Sequence, residues 1–272
     1  MLAAARNILD HRELIATLAW KNVTLRYKQA YLGLLWSVLK PLVLMTVFVL
    51  VRSVIGIDSG GVPYPVLVFA GLSLWIFLQE SISEGTGSIV SNATLIRKIY
   101  FPREIFPVTA VATKVVEFAI TLLLLFGMMR WYGIAPTAQT LWVLPLFVYV
   151  MLVALSIVMA GSALNVWYRD VSTAIPVVLN VLMWASPLMY PLHLVEKKLL
   201  IERAAGEWSE ALFTLYTVNP MVGAIDSFQN VMLRGLPPNW QALAPGAILV
   251  ACLLPVSYRL FKHAEMRFAD VV

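Results

Sequence analysis

Six long apolar stretches recur along the chain, at 32–55, 65–89, 105–129, 141–166, 174–190 and 242–261. A bilayer hydrocarbon core about 30 Å thick takes roughly 20 helical residues per crossing, so each stretch is a candidate span. With 60% of its 272 residues hydrophobic and 13% charged, the chain carries more apolar surface than a soluble core encloses. The stretches are rich in Leu, Val and Ala without strict alternation, which fits helices better than the ten-residue alternating strands of a barrel. The expected fold is therefore an all-α integral membrane protein with six transmembrane helices. No small-residue cleavage signal follows the first apolar run, so no removable signal peptide is expected. The single cysteine, Cys252, lies inside the last stretch; it allows no intrachain disulfide and reads as a small hydrophobe.

The net charge of +5 does not form one basic patch, which argues against nucleic acid as a partner. The cations sit at span ends. Arg6, Arg12, Lys21, Arg26, Lys28 and Lys40 lie before and at the start of the first run; Arg97, Lys98 and Arg103 follow the second; Arg169 follows the fourth; Arg259, Lys262 and Arg267 close the last. The other side holds Arg52, Arg130, Lys197, Lys198, Arg203 and Arg234, four of them in one long loop that counts little. The positive-inside rule then predicts both termini in the cytoplasm.

Residues 1–31 form a separate leading segment. Within it Glu13, Thr17, Lys21, Thr24 and Lys28 share one helical arc while Leu14, Ile15, Leu18 and Leu25 share another, which predicts an amphipathic interface helix. Such a helix either lies on the cytoplasmic membrane surface or packs on the protein. Residues 32–272 form the transmembrane domain. Its first span must reach back to about Leu32, because the apolar run after Pro41 covers only about half a crossing. That puts Lys40 inside the span, where a lipid-facing charge costs roughly 2.5–3.5 kcal/mol; Lys40 therefore snorkels or faces a wet cavity. Pro41 removes a backbone hydrogen bond and bends the helix. Glu80 and Glu84 share a face of the second span, and Lys114 and Glu117 can pair within the third. These charges are either plain ion pairs or parts of a polar pathway.

Between the second and third spans, "SNATLIRKIYFPREIFP" places Asn92 to cap a short helix that Pro102 interrupts. Its mixture of cations with Leu95, Ile96, Tyr100 and Phe101 calls for a covering partner or the membrane interface, or makes a structural elbow. The segment 193–240 holds a charged stretch, an apolar stretch and "NPMVGAIDSFQNVMLRG", where Asn219 caps, Pro220 opens and Gly235 ends a helix of about fourteen residues. That helix is too short to cross, so it reads as re-entrant or interfacial.

No G-x-x-x-x-G-K-[ST] loop occurs, His11, His193 and His263 show no metal-ligand spacing, and G-x-S-x-G is absent. No catalytic residues, metal site or cofactor are therefore expected in this chain. Aromatic side chains are abundant at the spans: Tyr31, Trp36, Trp75, Phe77, Trp167, Tyr168, Trp184 and Tyr190. They form interfacial belts or, with apolar faces and polar tips, a surface for a sliding sugar chain.

Four pieces, "RYKQAYLGLLWSVLKPL", "LIRKIYFPREIFPV", "NVWYRDV" and "SPLMYP" followed by "NPM", in that order and spacing, resemble the membrane subunit of ABC exporters for O-antigen, capsule and teichoic acid. The resemblance covers nearly the whole chain. It implies a homodimeric permease bound to two copies of a separate nucleotide-binding subunit, which would hold ATP and magnesium, in a bacterial inner membrane. The substrate would be a lipid-linked polysaccharide, O-antigen first and capsule or teichoic acid as alternatives, with membrane lipids as further partners. By the same resemblance the ATPase-coupling residues are Leu95, Ile96, Arg97, Lys98, Tyr100, Phe101, Arg103 and Glu104 in the coupling segment 91–104, with Lys21 and Lys28 from the interface helix. The glycan path takes Tyr31, Trp36, Lys40, Trp75, Trp184 and Tyr190, and the outer gate takes Asn219, Pro220, Asp226 and Phe228.

Two other classes compete. A membrane-embedded sugar transferase would need a carboxylate cluster or metal motif in a cytoplasmic loop, and the loops are short and poor in acids. A small-molecule or drug efflux permease shares the architecture and differs only in cargo.

Overall fold

The computed structural model describes residues 10–28, 33, 35–56, 58–98, 102–202 and 208–268, without the side chains of 25–28, 98, 200–202 and 208–209. In chain order the helices are α1 (Arg12–Lys28), α2 (Leu35–Ile55), α3 (Tyr64–Ser91), α4 (Ala93–Lys98), α5 (Ile105–Trp131), α6 (Val143–Trp167), α7 (Val171–Trp184), α8 (Leu192–Glu196), α9 (Trp208–Val218), α10 (Pro220–Gln229) and α11 (Trp240–Glu265). A 3₁₀ turn at Ala138–Trp142 leads into α6, and wider turns extend α8 to Glu202 and α10 to Arg234.

Among the described residues five helical stretches are long and apolar enough to cross a membrane: Leu35–Ile55, Tyr64–Ser91, Ile105–Trp131, Ala138–Trp167 and Trp240–Glu265. The fifth predicted run differs. Only Val171–Trp184 is helical there, 14 residues or about 21 Å, well short of the core thickness. Turns follow from Ser186 to Tyr190, and Pro191 is the extended residue that opens α8. Proline at 187 and 191 disfavours continuation of the helix, which is why the apolar run outlasts it.

Helix α3 is the axis of the bundle. Buried residues make up 78% of its most apolar window against 11% for α2, and it packs on α5 and α6 most heavily, then on α2, α7 and α10. Van der Waals fit and small residues hold membrane helices together, since lipid is as apolar as leucine. Accordingly a Cβ on Gly85 of α3 would meet Val158 of α6, and one on Gly161 of α6 would meet Thr86 of α3. Phe118 of α5 stacks on Phe147 of α6 with centroids 4.1 Å apart, and Phe77 of α3 leans on both. Helix α2 buries only Ser37, Pro41 and Phe48 and shows Val43, Val47, Leu50 and Val54 outward. At its far end Arg52 donates to Ser59 Oγ at 3.1 Å and lies 4.6 Å over the Tyr64 ring, which fixes the turn into α3.

Helix α1 begins within a residue of the expected start and packs on α5. Ile15 and Val23 are buried there, whereas Trp20 is exposed, so part of the expected apolar arc is covered by protein. At that same end a second core of Ile89, Ile96, Phe106, Met159, Val166, Phe261 and Phe268 ties α4 to α5, α6 and α11. At the opposite end α10 docks closely on α11: a Cβ on Gly223 would come within 2.5 Å of Leu243 Cα, and one on Gly246 within 2.6 Å of Pro220 Cα. Glycine is required at both. Gly235 closes the α10 extension at φ 64°, the left-handed conformation glycine tolerates best.

Candidate functional site

Five charged side chains meet between α2, α3 and α5. Lys114 Nζ lies 2.6 Å from Glu80 Oε2, 3.3 Å from Glu84 Oε2 and 3.0 Å from Glu117 Oε1, and its side chain is 2% exposed. Lys40 Nζ donates to the other oxygen of Glu80. The spacing explains the convergence. Glu80 and Glu84 are one turn apart on α3, and Glu117 is three residues from Lys114 on α5, so each pair presents one face. Lys114 and Glu80 stand about 14 Å and about 16 Å along their helices from the ends beside α1, at a depth where ionised groups need partners or a wet cavity. Phe77 and Phe118 close one side of the cluster, and Ser37, Ser73 and Thr121 line the small cavity around it.

Beyond Lys40 a groove of about 490 Å³ runs between α2 and α3, lined by Trp36, Val43, Ile76, Gln79 and Ser83 among others. Its polar wall continues to α7: Trp75 Nε1 donates to Gln79 Oε1 at 3.2 Å, and Gln79 Nε2 donates to Asn180 Oδ1 at 3.1 Å. Trp36 and Lys40, both expected on the glycan path, thus share this groove. Trp75 is 1% exposed and joins through its indole N–H, not by offering a ring face. Trp184 is exposed and makes an edge contact with Phe48 of α2 at 5.8 Å. Tyr190 pairs its hydroxyl with that of Tyr216 at 3.3 Å, away from Trp36. Tyr31 lies outside the described residues. Gln79 and Asn180 were missed by the sequence reading, although an amide within an apolar run obeys the same rule as a carboxylate there.

The expected coupling residues divide into two groups. Leu95 is half-buried, Ile96 is buried in the second core, and Arg97 is exposed on α4. Lys98 ends α4 and Lys28 ends α1, their side chains undescribed; Tyr100 and Phe101 lie outside the described residues. Arg103 and Glu104 are instead engaged with α11. Arg103 N donates to Glu265 Oε1 at 3.1 Å and its guanidinium to the Glu265 carbonyl. Glu104, 1% exposed, accepts from Tyr258 Oη at 3.1 Å and pairs with Lys262 at 2.5 Å, which also reaches Glu265 at 2.7 Å. Asn92 caps through its backbone carbonyl, which accepts from Leu95 and Ile96, while its side-chain amide donates back to Ser88 O. The expected side-chain cap is therefore replaced by a bond to the preceding helix. Lys21 is exposed on α1 and lines a polar pocket against α3 and α5.

At the opposite end Asn219 Oδ1 accepts from Met221 N at 3.1 Å with Pro220 at the first helical position, as expected from the sequence. The carbonyl of Pro220 accepts from Tyr149 Oη, and Asn219 Nδ2 donates to Ser186 Oγ at 3.1 Å. Phe228 is fully buried. Asp226, also buried, accepts from Asn239 at 3.0 Å and Asn230 at 3.2 Å, and Asn230 in turn accepts from Arg234 at 2.9 Å. Burial lifts the Asp226 carboxyl above its ordinary range despite the amide bonds and the nearby Arg234 and His193. Glu196 is lifted by burial and by the charge of Asp226, with His193 opposing. The Tyr216 hydroxyl is likewise lifted, by burial first and then by Tyr190.

Among the described residues no group of His, Cys, Asp and Glu is arranged to hold a metal ion. The arrangement provides a charged cluster beside a lateral groove between two span-length helices, flanked by a cation-bearing short helix at one end and a buried polar plug at the other.

The sequence profile of the family described as "ABC-2 type transporter" matches residues 13–233. The chain is 27% identical over 277 residues to the O-antigen export system permease protein RfbA of Myxococcus xanthus, with 100% of both chains covered. It is 23% identical over 262 residues to the O-antigen export system permease protein RfbA of Klebsiella pneumoniae, covering 96% of this chain and 95% of that one.

Proposed function

This chain belongs to the ABC-2 type transporter family, and from that premise we propose that it is the membrane-spanning subunit of an ATP-driven exporter of a lipid-linked polysaccharide. O-antigen is the cargo favoured, because the similarity to O-antigen export permeases runs the full length of the chain; that single observation carries the reading. Capsular polysaccharide and teichoic acid are the alternatives.

The groove supports transport of a hydrophilic chain. Lys40, Gln79, Glu80 and Ser83 line a cleft in helices long and apolar enough to lie in hydrocarbon, and polar groups at that depth call for an aqueous or protein neighbour. A second copy of this chain facing the groove would supply it and would enclose a corridor between two protomers. Trp36 at the groove offers a ring face to sugar CH surfaces. The sixth crossing would be completed by α7 together with residues 185–191, and α8 to α10 would form a re-entrant gate on the outer side. Both termini, with α1 and α4, would lie in the cytoplasm of a bacterial inner-membrane protein.

ATP and magnesium would be handled by a separate nucleotide-binding subunit present in two copies. Its closure would press on α4, whose Ile96 sits in the same core as Phe106 of α5 and Phe261 of α11, and so tilt the helices that carry the charged cluster. Arg97 and the neighbouring Tyr100 would meet the partner. Arg97→Glu combined with Tyr100→Ala is expected to abolish surface polymer and leave glycan trapped inside the cell, with the protein still inserted. Deleting the gene should give the same phenotype on staining for surface O-antigen and intracellular glycan. Unchanged surface polymer after deletion would overturn the export reading, and unchanged polymer in the double variant alone would overturn the docking assignment.

A further inference from the structure

A pocket of about 260 Å³ lies where α1 leans on the bundle. Lys21 and Asn22 reach it from α1, Glu84, Ser88 and Ser91 from α3, and Thr109 from α5. We propose that this pocket binds the headgroup of a phosphatidylethanolamine molecule of the surrounding leaflet, through Lys21 at the phosphate and Glu84 with Ser88 at the ammonium.

The chemistry is set by which groups stand where. Ser91, Ser88 and Glu84 follow one another along a single face of α3 at spacings of three and four residues, so they form a polar ladder leading inward from the helix end. Glu84 is its inner rung, because the same carboxylate touches the deeply buried Lys114 at 3.3 Å. Lys21 is on α1, across the pocket from α3, and among the described residues the two charged side chains lining the pocket are one cation and one anion on different walls. That pairing disfavours a purely anionic guest, which would lie against Glu84, and a purely cationic one, which would lie against Lys21. A zwitterion with its cation at the tip and its anion one short linker behind matches the order.

Two hydroxyls point to hydrogen bonding as well as charge. Ser88 Oγ and Thr109 Oγ1 line the pocket, are 4% and 3% exposed as residues, and have no hydrogen-bond partner among the described residues. Ser91 Oγ, by contrast, is committed to Ser88 O at 3.2 Å, and Asn92 braces the same carbonyl at 2.8 Å. A primary ammonium offers three N–H donors, enough to reach one carboxylate oxygen and the Ser88 and Thr109 hydroxyls together. The trimethylammonium of phosphatidylcholine has no N–H, and the glycerol of phosphatidylglycerol has no cation. Leu18, Leu95 and Phe106 supply the apolar part of the lining, against which the start of the acyl chains can rest. A lipid seated there would join α1 to α3 and α5, with its headgroup reaching a member of the charged cluster.

The test uses the full-length chain in nanodiscs of equal parts phosphatidylethanolamine, phosphatidylglycerol and phosphatidylcholine, with retained lipid identified by native mass spectrometry. Phosphatidylethanolamine should be retained at least about tenfold over either competitor, a difference of about 1.4 kcal/mol. Lys21→Ala, on an exposed site, and Thr109→Val, nearly isosteric, should each lower that retention several-fold. Glu84→Gln should remove the preference for ethanolamine over choline; because Glu84 also belongs to the charged cluster, the first two variants keep the test decisive should this one unfold. Equal retention of the three lipids, a preference for phosphatidylglycerol, or an ethanolamine preference untouched by Lys21→Ala and Thr109→Val would each overturn the assignment.

Discussion

Replacing Lys114 by methionine tests whether the buried cluster is held by charge. Methionine has similar length and no charge, so the main change is the loss of one ammonium that touches Glu80, Glu84 and Glu117 within 3.3 Å. Removing one partner from a buried ion pair costs about 3–5 kcal/mol, because the remaining charges stay out of water unpaired. Here three carboxylates lose that contact, and among the described residues Lys40 pairs with Glu80. For a chain of this size 1 kcal/mol moves the unfolding midpoint by about 2–4 °C, so Lys114→Met should lower it by about 6–20 °C in a detergent-solubilised thermal melt. Lys40→Met is the internal control. Lys40 is 54% exposed and leaves Glu80 still bonded to Lys114, so its loss should cost no more than about 1 kcal/mol. Combining Lys114→Met with Glu117→Gln removes one of the carboxylates that lose the ammonium and should recover about 1–2 kcal/mol of the loss, since contacting residues couple by about 0.5–3 kcal/mol. A Lys114→Met midpoint within about 3 °C of the parent, or a Lys40→Met loss as large as that of Lys114→Met, would refute the reasoning.

The close contact of α10 with α11 gives a second prediction. Gly223→Ala forces a methyl against the Leu243 backbone and should cost about 1–3 kcal/mol or more, whereas Gly87→Ala, with nothing within 4 Å, should be neutral or stabilise by up to about 1 kcal/mol; comparison of the two midpoints decides it. The polar plug gives a third. The folded chain holds a proton on Asp226 more tightly than the unfolded chain does, facing His193, Glu196, Asn230, Arg234 and Asn239. Its contribution is therefore fully present below the ordinary carboxylate range near pH 4 and is lost as pH rises through the lifted value. Asp226→Asn should flatten the decline of the melting midpoint with rising pH; an unchanged slope in that variant counts against the account.

Sequence-local rules read α10 and the charge pair within α5 well. Asn219, Pro220 and Gly235 act within five residues of themselves through backbone geometry, so their signature survives any packing. Lys114 with Glu117 was legible for the same reason, being three residues apart on one helix. The Lys40–Glu80 and Lys114–Glu80 contacts were not, because they join positions 40 and 34 residues apart, and only the assembled bundle chooses which faces meet. Glu104 shows the converse: the resemblance placed it among the coupling residues, and no local rule announced that its carboxylate is held by Lys262 and Tyr258 of α11.

Hydrophobic run lengths and the positions of cations are one-dimensional quantities, and they are what lipid reads, so the sequence by itself determined that this chain is a helical membrane protein and where most of its helices lie. It could not determine how far the fifth helix extends, since proline and serine after Trp184 compete with an apolar run that length alone would let continue. Tertiary structure alone decided that α3 is the buried axis while α2 stands at the edge, and that five charges separated along the chain share one site. Side-chain contact between helices depends on rotation and crossing, which no single helix encodes.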